Sequence, residues 1–279
     1  MDDKRIVFMG TPQFGSAMLQ ALTEAGYQVV GVVTQPDRLT GRKQLLTCSP
    51  VKEYALQKGI AVLQPERIRM EYQPVIDLRP DLIVTCAYGQ IIPGELLDYP
   101  ELGCVNVHAS LLPKLRGGAP IQHAIIDGYE TTGITIMEMA EKMDAGDIIS
   151  QVETAIDSKD TYRSLHDRLM GLASALLIDT MPYLLEGLYA HRAQDEEEVT
   201  FGRNITPEEE HIDFTKDYRS IYNQMRGLID TPCGYGIVNG RKLKFADISE
   251  TDLTDARASG TLTTHSRAVA IITIRGLTI

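Results

Sequence analysis

The amino-acid sequence predicts an α/β fold, in which a doubly wound, mostly parallel sheet is followed by a small, β-rich second domain. Over the first two thirds of the 279 residues, short apolar runs alternate with segments of helical spacing. Continuous apolar runs of this kind are typical of parallel strands that helices cover on both faces. After residue 206 the pattern changes to short strand-like runs separated by turns. A chain of this length usually divides into two domains.

The predicted elements follow one another in the order expected of that fold. The apolar runs predict strands at residues 5–10, 29–33, 61–63, 82–87, 104–108 and 134–139. Helical spacing predicts helices at residues 16–25, 50–58, 121–126 and 162–188. Gly26 ends the first helix as a C′ glycine does, and Pro120 suits the first turn of the third helix. Ligands in such sheets bind beyond the carboxyl ends of the strands, so the residues that end the strands are the candidate site.

Composition places the domain boundary in a polar stretch. We predict an α/β domain at residues 1–190, a linker at residues 191–206 and a β-rich domain at residues 207–279. The linker is predicted from its polar composition and its acidic run at residues 195–198. In the second domain we predict a helix at residues 218–228 and strands at residues 236–238, 242–245, 260–262 and 269–274. Asn239-Gly240 between two of these strands is a hairpin signal.

Charge and composition argue against several classes of protein. The formal net charge is −11, with 27 basic and 38 acidic residues, so a nucleic acid could be met only by a local basic patch. The four cysteines and six histidines show no metal-ligand spacing, and we expect no metal and reduced, buried cysteines. The sequence has no signal-peptide pattern and no apolar stretch long enough to cross a membrane. We therefore expect a cytoplasmic protein without a membrane partner.

Asn106 and His108 end one predicted strand and point to the same face, because alternate side chains in a strand do so. An amide donor beside an imidazole can stabilise an oxyanion and move a proton, which acyl transfer needs. Asp144, in the turn after the next strand, could orient His108 and balance its charge. Taken alone, Asn106 and His108 are better explained as a polar strand end, and Asp144 as a common turn-forming aspartate.

The order and spacing of three motifs single out a family. Asn-x-His at residues 106–108 is followed by Ser-Leu-Leu-Pro-x-x-Arg-Gly-x-Ala-Pro-Ile at residues 110–121 and by Asp-Ala-Gly-Asp at residues 144–147. Together they resemble the 10-formyltetrahydrofolate-dependent formyltransferases. Further matches, to the branch that acts on charged tRNA, lie at residues 7–14, 34–38, 41–42, 49–52, 87–93 and 132–137. The resemblance is dense over residues 5–190 and looser after them.

The resemblance implies a Rossmann-like formyltransferase domain, followed by a short, incomplete OB-like β-barrel that binds tRNA. It implies formyl transfer from 10-formyltetrahydrofolate to the amino group of a charged initiator tRNA, so folate and tRNA are the expected partners. Asn106, His108 and Asp144 match the family's catalytic trio. The residues that match the folate site are Ser110, Leu111, Leu112, Pro113, Ala87, Tyr88, Gly89 and Gln90, and those that match the tRNA-binding loop are Arg38, Arg42 and Lys43. We expect a monomer.

Departures from the family pattern leave the acceptor open. Gln44-Leu45-Leu46 stands where the tRNA loop is often more basic, and residues 229–234 replace a tryptophan-containing turn. The alternative acceptor is an amino sugar nucleotide, although the Ala-Pro-Ile-Gln run and the Arg42 loop favour tRNA. A dinucleotide-binding oxidoreductase is disfavoured because residues 10–15 lack the G-x-G-x-x-G spacing. A non-catalytic RNA-binding module is disfavoured because every catalytic residue type is present.

Overall fold

A seven-stranded sheet lies at the centre of the α/β part of the chain. The computed structural model describes residues 4–40, 43–238, 240–248, 262–265 and 268–271. In chain order, the strands of the described residues, inside and outside this sheet, are β1 (Ile6–Gly10), β2 (Val29–Val33), β3 (Arg38–Thr40), β4 (Leu45–Thr47), β5 (Val62–Leu63), β6 (Leu82–Cys86), β7 (Cys104–His108), β8 (Thr131–Glu138), β9 (Ile148–Ala155), β10 (Tyr235–Val238), β11 (Arg241–Lys244), β12 (Leu262–His265) and β13 (Ala268–Ile271). The helices are α1 (Gln13–Glu24), α2 (Pro50–Gln57), α3 (Gln73–Asp77), α4 (Gly94–Leu97), α5 (Pro120–Ile126), α6 (Tyr162–Glu186) and α7 (Tyr218–Leu228).

The central sheet is mostly parallel, as predicted. Its strand order is β5-β2-β1-β6-β7-β8-β9. Parallel pairing joins β5 to β2, β2 to β1, β1 to β6 and β6 to β7. Strand β8 runs antiparallel to β7, with His108 opposite Thr135 and Val105 opposite Glu138. Because the chain passes from β1 to β2 on one side and later to β6 on the other, β1 and β6 flank the topological switch point, where such sheets bind ligands.

The predicted strands and helices of this sheet are confirmed, with ends that differ by a few residues. Helix α1 begins at Gln13, three residues before its predicted start, and the extended Pro12 is its N-cap residue. Gly26 follows it with φ 83, the left-handed value that favours glycine. Helix α5 begins at Pro120, as expected of a first-turn proline, and α6 continues past Pro182.

Five elements are absent from the sequence prediction: the two strands of the β3–β4 hairpin, β9 and the short helices α3 and α4. Strand β9 reads Ile-Ile-Ser-Gln-Val-Glu-Thr-Ala and is only partly buried along most of its length. It therefore lacks the continuous apolar run that identified the parallel strands. Strand β9 is the edge neighbour of β8 in the sheet, which explains its mixed composition.

Helix α6 is a core helix. Within the described ranges it is the one helix that could cross a membrane by length and composition. Five of its apolar residues are fully buried at a spacing of three to four: Leu169, Ala173, Leu177, Met181 and Leu184. This spacing puts them on one face, and such a buried stripe is typical of a helix in a soluble domain.

The chain divides into two compact units. The first contains Met1–Arg116, Gly133–Glu153 and Leu169–Val199, and the second contains Gly117–Thr132, Thr154–Arg168 and Thr200–Ile279. In the second unit α5 packs on α7. Gly227 permits this approach, since a Cβ there would lie 2.7 Å from Cγ1 of Ile126. The assignment of residues 1–190, 191–206 and 207–279 to a catalytic domain, a linker and a tRNA-binding domain stays a prediction.

Small hairpins provide the described strands of the C-terminal region. Strands β10 and β11 pair antiparallel with Val238 opposite Arg241. This pairing confirms the predicted hairpin, although Asn239 itself lies outside the described residues. Strands β12 and β13 form a second antiparallel pair. Residues 249–261, 266–267 and 272–279 also lie outside the described ranges, so the closure of these strands into a barrel stays a prediction.

Candidate active site

Asn106 and His108 lie at the carboxyl end of β7, with their side chains on the same face of the strand. Strand β7 is interior in the sheet, between β6 and β8. The Thr85 hydroxyl on β6 donates a hydrogen bond to Asn106 Oδ1 at 2.9 Å. Because this bond turns the amide oxygen toward β6, the Nδ2 group of Asn106 is presented as a donor on its other side.

His108 is held between two oxygen atoms. Its Nε2 lies 3.0 Å from the backbone carbonyl oxygen of Leu115, and a carbonyl only accepts, so Nε2 carries the proton of that bond. Its Nδ1 lies 3.7 Å from Asp144 Oδ1, and the side chains of His108 and Asp144 are 6% and 13% exposed. This distance exceeds a hydrogen bond but allows charge attraction when the imidazole is protonated. His108 can therefore take up a proton at Nδ1 with Asp144 as its counter-charge.

Asp144 reaches His108 from a loop that turns back along β7. Strand β8 ends at Glu138, which lies beside the start of β7 because Val105 is opposite Glu138. Three residues of strand, about 10 Å, separate that point from His108. Asp144 has φ 50, in the left-handed region that residues other than glycine seldom adopt. Close packing of the loop on β8 requires Gly146, where a Cβ would collide with the Glu138 carbonyl oxygen.

The loop predicted to hold the folate is fixed by hydrogen bonds to the buried Thr135 side chain. The Thr135 hydroxyl donates to the Ser110 carbonyl at 2.7 Å and accepts from the Leu112 N–H at 3.1 Å. Ser110 and Leu112 are buried, whereas Leu111 and Pro113 are partly exposed. Ser110 and Leu112 therefore fix the loop, and Leu111 and Pro113 form the part of it that a ligand can touch.

The second predicted folate segment, residues 87–90, contributes backbone rather than side chains. Ala87 and Gly89 have φ 50 and φ 88. The side chain of Tyr88 is buried in the core, where burial raises the pKa of its hydroxyl. Gln90 accepts from the Ile68 N–H at 2.9 Å. A ligand at this segment would meet mainly its peptide groups.

A cleft of about 610 Å³ opens at the switch point, and this volume is typical of small-molecule sites. It is lined by residues that follow three parallel strands and by the β3–β4 hairpin, namely Thr11, Pro12, Gln35, Pro36, Arg38, Thr47, Cys48, Ser49, Pro50, Ala87, Tyr88 and Gly89. Residues predicted to frame the folate and a residue predicted to meet tRNA thus line one cleft.

The β3–β4 hairpin carries the residues predicted to contact tRNA. Arg38 and Lys43 are exposed, and Arg42 lies outside the described residues. The hairpin also exposes three leucines, Leu39, Leu45 and Leu46, at 59%, 63% and 68% of their surface. The hairpin therefore presents both positive charge and apolar surface.

Lys52, a further basic residue of this segment, is already paired within the protein. Its ammonium group donates to Asp37 Oδ2 at 2.6 Å and to Gln64 Oε1 at 2.7 Å. The hydrogen bonds from Lys52 and Gln64 hold the pKa of Asp37 below its usual value, so Asp37 stays ionised. Lys52 thus stabilises the base of the hairpin through Asp37.

One group of side chains within the described ranges has metal-like spacing. The ligand atoms of Glu138, Asp147 and His191 lie within 4.8 Å of one another. His191 Nδ1 is 3.2 Å from Glu138 Oε1, so two of the three already form an ion pair when His191 is protonated. The sequence-based expectation of no metal stays a prediction.

The four cysteines are free, as predicted. Cys86 and Cys104 are buried, and burial raises the pKa of each thiol to about 12. Cys48 and Cys233 are instead partly exposed. The two buried thiols are therefore protonated near neutral pH and behave as small apolar residues.

Three groups around the trio are absent from the sequence analysis: Thr85, the Leu115 carbonyl and Gln194. Gln194 donates from Nε2 to the Asp144 and Gly146 carbonyls, both at 2.8 Å. A lone hydroxyl in the apolar strand β6 is the one sequence signal that could have identified Thr85. Gln194 lies in the polar stretch predicted as a linker, where composition gives no signal for it.

Comparison with protein families matches nearly the whole chain. The family described as "Formyl transferase" matches residues 4–181. The family described as "Formyl transferase, C-terminal domain" matches residues 204–277. These two matches agree with the resemblance that the motifs indicate.

Individual relatives are similar over most of their length. The chain is 53% identical over 242 residues to the methionyl-tRNA formyltransferase of Bacillus licheniformis, covering 86% of this chain and 77% of that one. It is 52% identical over 260 residues to the methionyl-tRNA formyltransferase of Bacillus cereus, covering 92% and 83%. Among solved structures, an N-formyltransferase from Helicobacter canadensis, in complex with folinic acid and dTDP-3-aminofucose, has a TM-score of 0.73 at 18% identity, covering 99% of this chain and 97% of that chain. At that identity the likeness concerns the fold alone.

Proposed function

The chain belongs to the formyl transferase family, and from this premise we propose that it formylates the amino group of initiator methionyl-tRNA. The formyl donor is 10-formyltetrahydrofolate. The product, N-formylmethionyl-tRNA, is the species that begins translation. The acceptor is inferred from relatives that are 52% to 53% identical and are named for methionyl-tRNA.

The observation that supports acyl-transfer chemistry is the position of His108. Its Nε2 is bonded to a fixed carbonyl and its Nδ1 faces the Asp144 carboxylate at 3.7 Å, beside the amide of Asn106. A base, a counter-charge and a neutral donor are thus gathered at the carboxyl end of one strand. This set provides both functions that transfer of an acyl group to an amine requires.

We assign one role to each member of the trio. The amine of the aminoacyl group attacks the formyl carbon, a C–N bond forms, and the carbonyl electron pair moves to oxygen. Asn106 Nδ2 donates to that oxyanion. His108 Nδ1 accepts the proton that the amine releases, with Asp144 as counter-charge, and returns it to the departing folate nitrogen as the old C–N bond breaks. The formyl group moves from one nitrogen to another, and one proton moves in the opposite direction.

The folate and the tRNA end are assigned to neighbouring parts of the site. We place the folate against Leu111, Pro113 and the backbone of residues 87–90, and the tRNA end against the hairpin that carries Arg38. The common lining of the cleft by residues 87–89 and Arg38 supports this placement. Formyl transfer requires both substrates to meet at one point, which such a cleft allows.

We extend the proposal to the rest of the chain. Residues 207–279 form a tRNA-binding domain, joined through residues 191–206, and the match of residues 204–277 to the C-terminal family supports it. The protein is soluble, in keeping with the buried apolar stripe of α6. We infer that it acts as a monomer in the cytoplasm, without a membrane partner and without a metal.

The direct test is formyl transfer by the purified chain. With 10-formyltetrahydrofolate, we expect initiator methionyl-tRNA to be converted to its N-formyl form, as measured by acid–urea gel electrophoresis. A 4-amino sugar nucleotide offered under the same conditions should give no product detectable by mass spectrometry. Formylation of the sugar nucleotide without formylation of tRNA would show that the alternative acceptor is correct.

The hairpin assignment predicts a salt-dependent effect on tRNA alone. The double change Arg38→Ala and Lys43→Ala should raise the KM for tRNA and reduce the slope of log affinity against log salt by about 2, about 1 for each lost phosphate contact. The KM for 10-formyltetrahydrofolate should not change. Lys58, an exposed lysine directly after α2, gives the control variant Lys58→Ala. An unchanged salt slope in the double variant would mean that the hairpin does not contact phosphate.

A further inference from the structure

A glutamine outside the predicted site connects the loop that carries Asp144 to a buried arginine. Gln194 Nε2 donates to the carbonyl oxygens of Asp144 and Gly146, both at 2.8 Å. Its Oε1 accepts from Arg116 Nε at 3.0 Å. Both donors and the acceptor oxygen of this amide are therefore used, so its orientation is fixed.

The loop after β8 needs such an anchor. Strand β8 leaves the sheet opposite Val105, and the loop must turn back to bring Asp144 to His108. It does so with Asp144 at φ 50, a left-handed value that costs a non-glycine residue some free energy. The two hydrogen bonds from Gln194 fall on Asp144 itself and on Gly146, and so they hold the loop at its sharpest part.

The other side of the glutamine is equally well fixed. Arg116 is 1% exposed, and its NH2 group donates to Glu196 Oε1 at 2.9 Å. Arg116 directly follows Leu115, whose carbonyl oxygen holds His108 Nε2 at 3.0 Å. The residue that holds Gln194 is thus adjacent in the chain to the group that holds His108. One continuous set of contacts therefore positions both partners of the imidazole.

We propose that Gln194 is a positioning residue, which with Arg116 sets the distance between His108 Nδ1 and Asp144 Oδ1. The proposal rests on the catalytic roles that are assigned above to His108 and Asp144. It also gives a function to part of the polar stretch at residues 191–206, beyond that of a linker. Tyr189 and Arg192 attach the same segment nearby, through Glu138 Oε1 at 3.2 Å and through the backbone of Ile148 at 2.8 Å.

The test measures formyl transfer to initiator methionyl-tRNA in single and double variants. Gln194→Ala should lower kcat by about 10- to 100-fold, since a shift of about 1 Å at a catalytic group has an effect of that size. The KM values for both substrates should stay within about twofold. In the Asp144→Asn background the same change should lower kcat by less than about twofold. If Gln194 acts through the Asp144 carboxylate, its removal has little further effect once that carboxylate is gone, so the effects of the two substitutions on kcat are not additive. Gln20→Ala, at a glutamine on α1 whose side chain donates to its own helix neighbour Glu24, should leave kcat unchanged.

Each result decides between alternatives. If Gln194→Ala keeps more than half of kcat, or lowers it by the same factor with and without the Asp144 carboxylate, the positioning role is wrong. If Asp144→Asn alone keeps full kcat, the role of Asp144 in the proposed function is wrong. Should Gln194→Ala fail to fold by circular dichroism, Gln194→Glu takes its place, since it keeps the volume and the Arg116 partner. That variant turns an oxygen toward two carbonyls that need donors, so the same losses are expected and are judged in the same way.

Discussion

Replacement of His108 by alanine is expected to lower kcat for formyl transfer by about 10²- to 10⁴-fold, the usual contribution of a general acid–base group. Without the imidazole, the proton of the attacking amine loses the acceptor that we assign to it. The Asp144 carboxylate, whose Oδ1 lies 3.7 Å from His108 Nδ1 in the intact protein, is a poor substitute, because its negative charge repels the charge that develops on the oxyanion. Loss of the bond to the Leu115 carbonyl should lower the stability by about 1 kcal/mol, which leaves the protein folded.

The measurement is single-turnover formylation with a parallel thermal melt. His166 provides a matched control, because its Nδ1 faces Asp167 at 3.1 Å on helix α6, in a second histidine–aspartate pair. His166→Ala should keep turnover within about twofold of the unmodified protein. If His108→Ala retained near-normal turnover, proton transfer would have to be assigned to another group. If it lost turnover only in proportion to lost folded protein, the role of His108 would be structural.

The pairing of Asn106 with His108 could be predicted from sequence because it depends on local geometry. Strand β7 is observed at Cys104–His108, its predicted bounds, and alternation within a strand then puts both side chains on the same face. The same continuous apolar signal located β1, β2 and β6. It did not locate β9, whose polar positions belong to a partly buried strand at the edge of the sheet.

The approach of Asp144 to His108 depends on contacts that are distant in sequence. The antiparallel direction of β8 places the start of the Asp144 loop beside Val105 rather than beside His108. What returns the loop to His108 is a hydrogen-bond pair from Gln194, which is 50 positions away from Asp144 in the chain. The Asp-Ala-Gly-Asp motif at residues 144–147 predicts a turn, but it predicts neither the direction of β8 nor a hydrogen-bond partner 50 positions away. The motif order predicted the trio through its resemblance to a family, while the geometry that brings Asp144 to His108 required the structure.

The change Asn106→Ala is expected to lower kcat by about 10²- to 10³-fold, or about 2.7–4 kcal/mol of transition-state stabilisation. The reason is that Nδ2 of Asn106 is the donor proposed for the oxyanion, and no charge develops on that oxygen before the amine attacks. The KM for 10-formyltetrahydrofolate should therefore change little. Asn204→Asp, at an exposed asparagine, is the control and should leave turnover unchanged.

Asn106→Asp separates the donor role from a structural one. Alanine also removes the oxygen that accepts from the Thr85 hydroxyl at 2.9 Å, so a loss of activity in that variant has two explanations. Aspartate keeps an oxygen for Thr85 and nearly the same shape, but it has no N–H group and adds negative charge where the oxyanion forms. If Asn106 acts as the donor, the aspartate variant should lose at least as much kcat as the alanine variant while melting closer to the unmodified protein. If aspartate restores turnover that alanine loses, Asn106 serves to hold Thr85 and β6, and the oxyanion must be stabilised by another group.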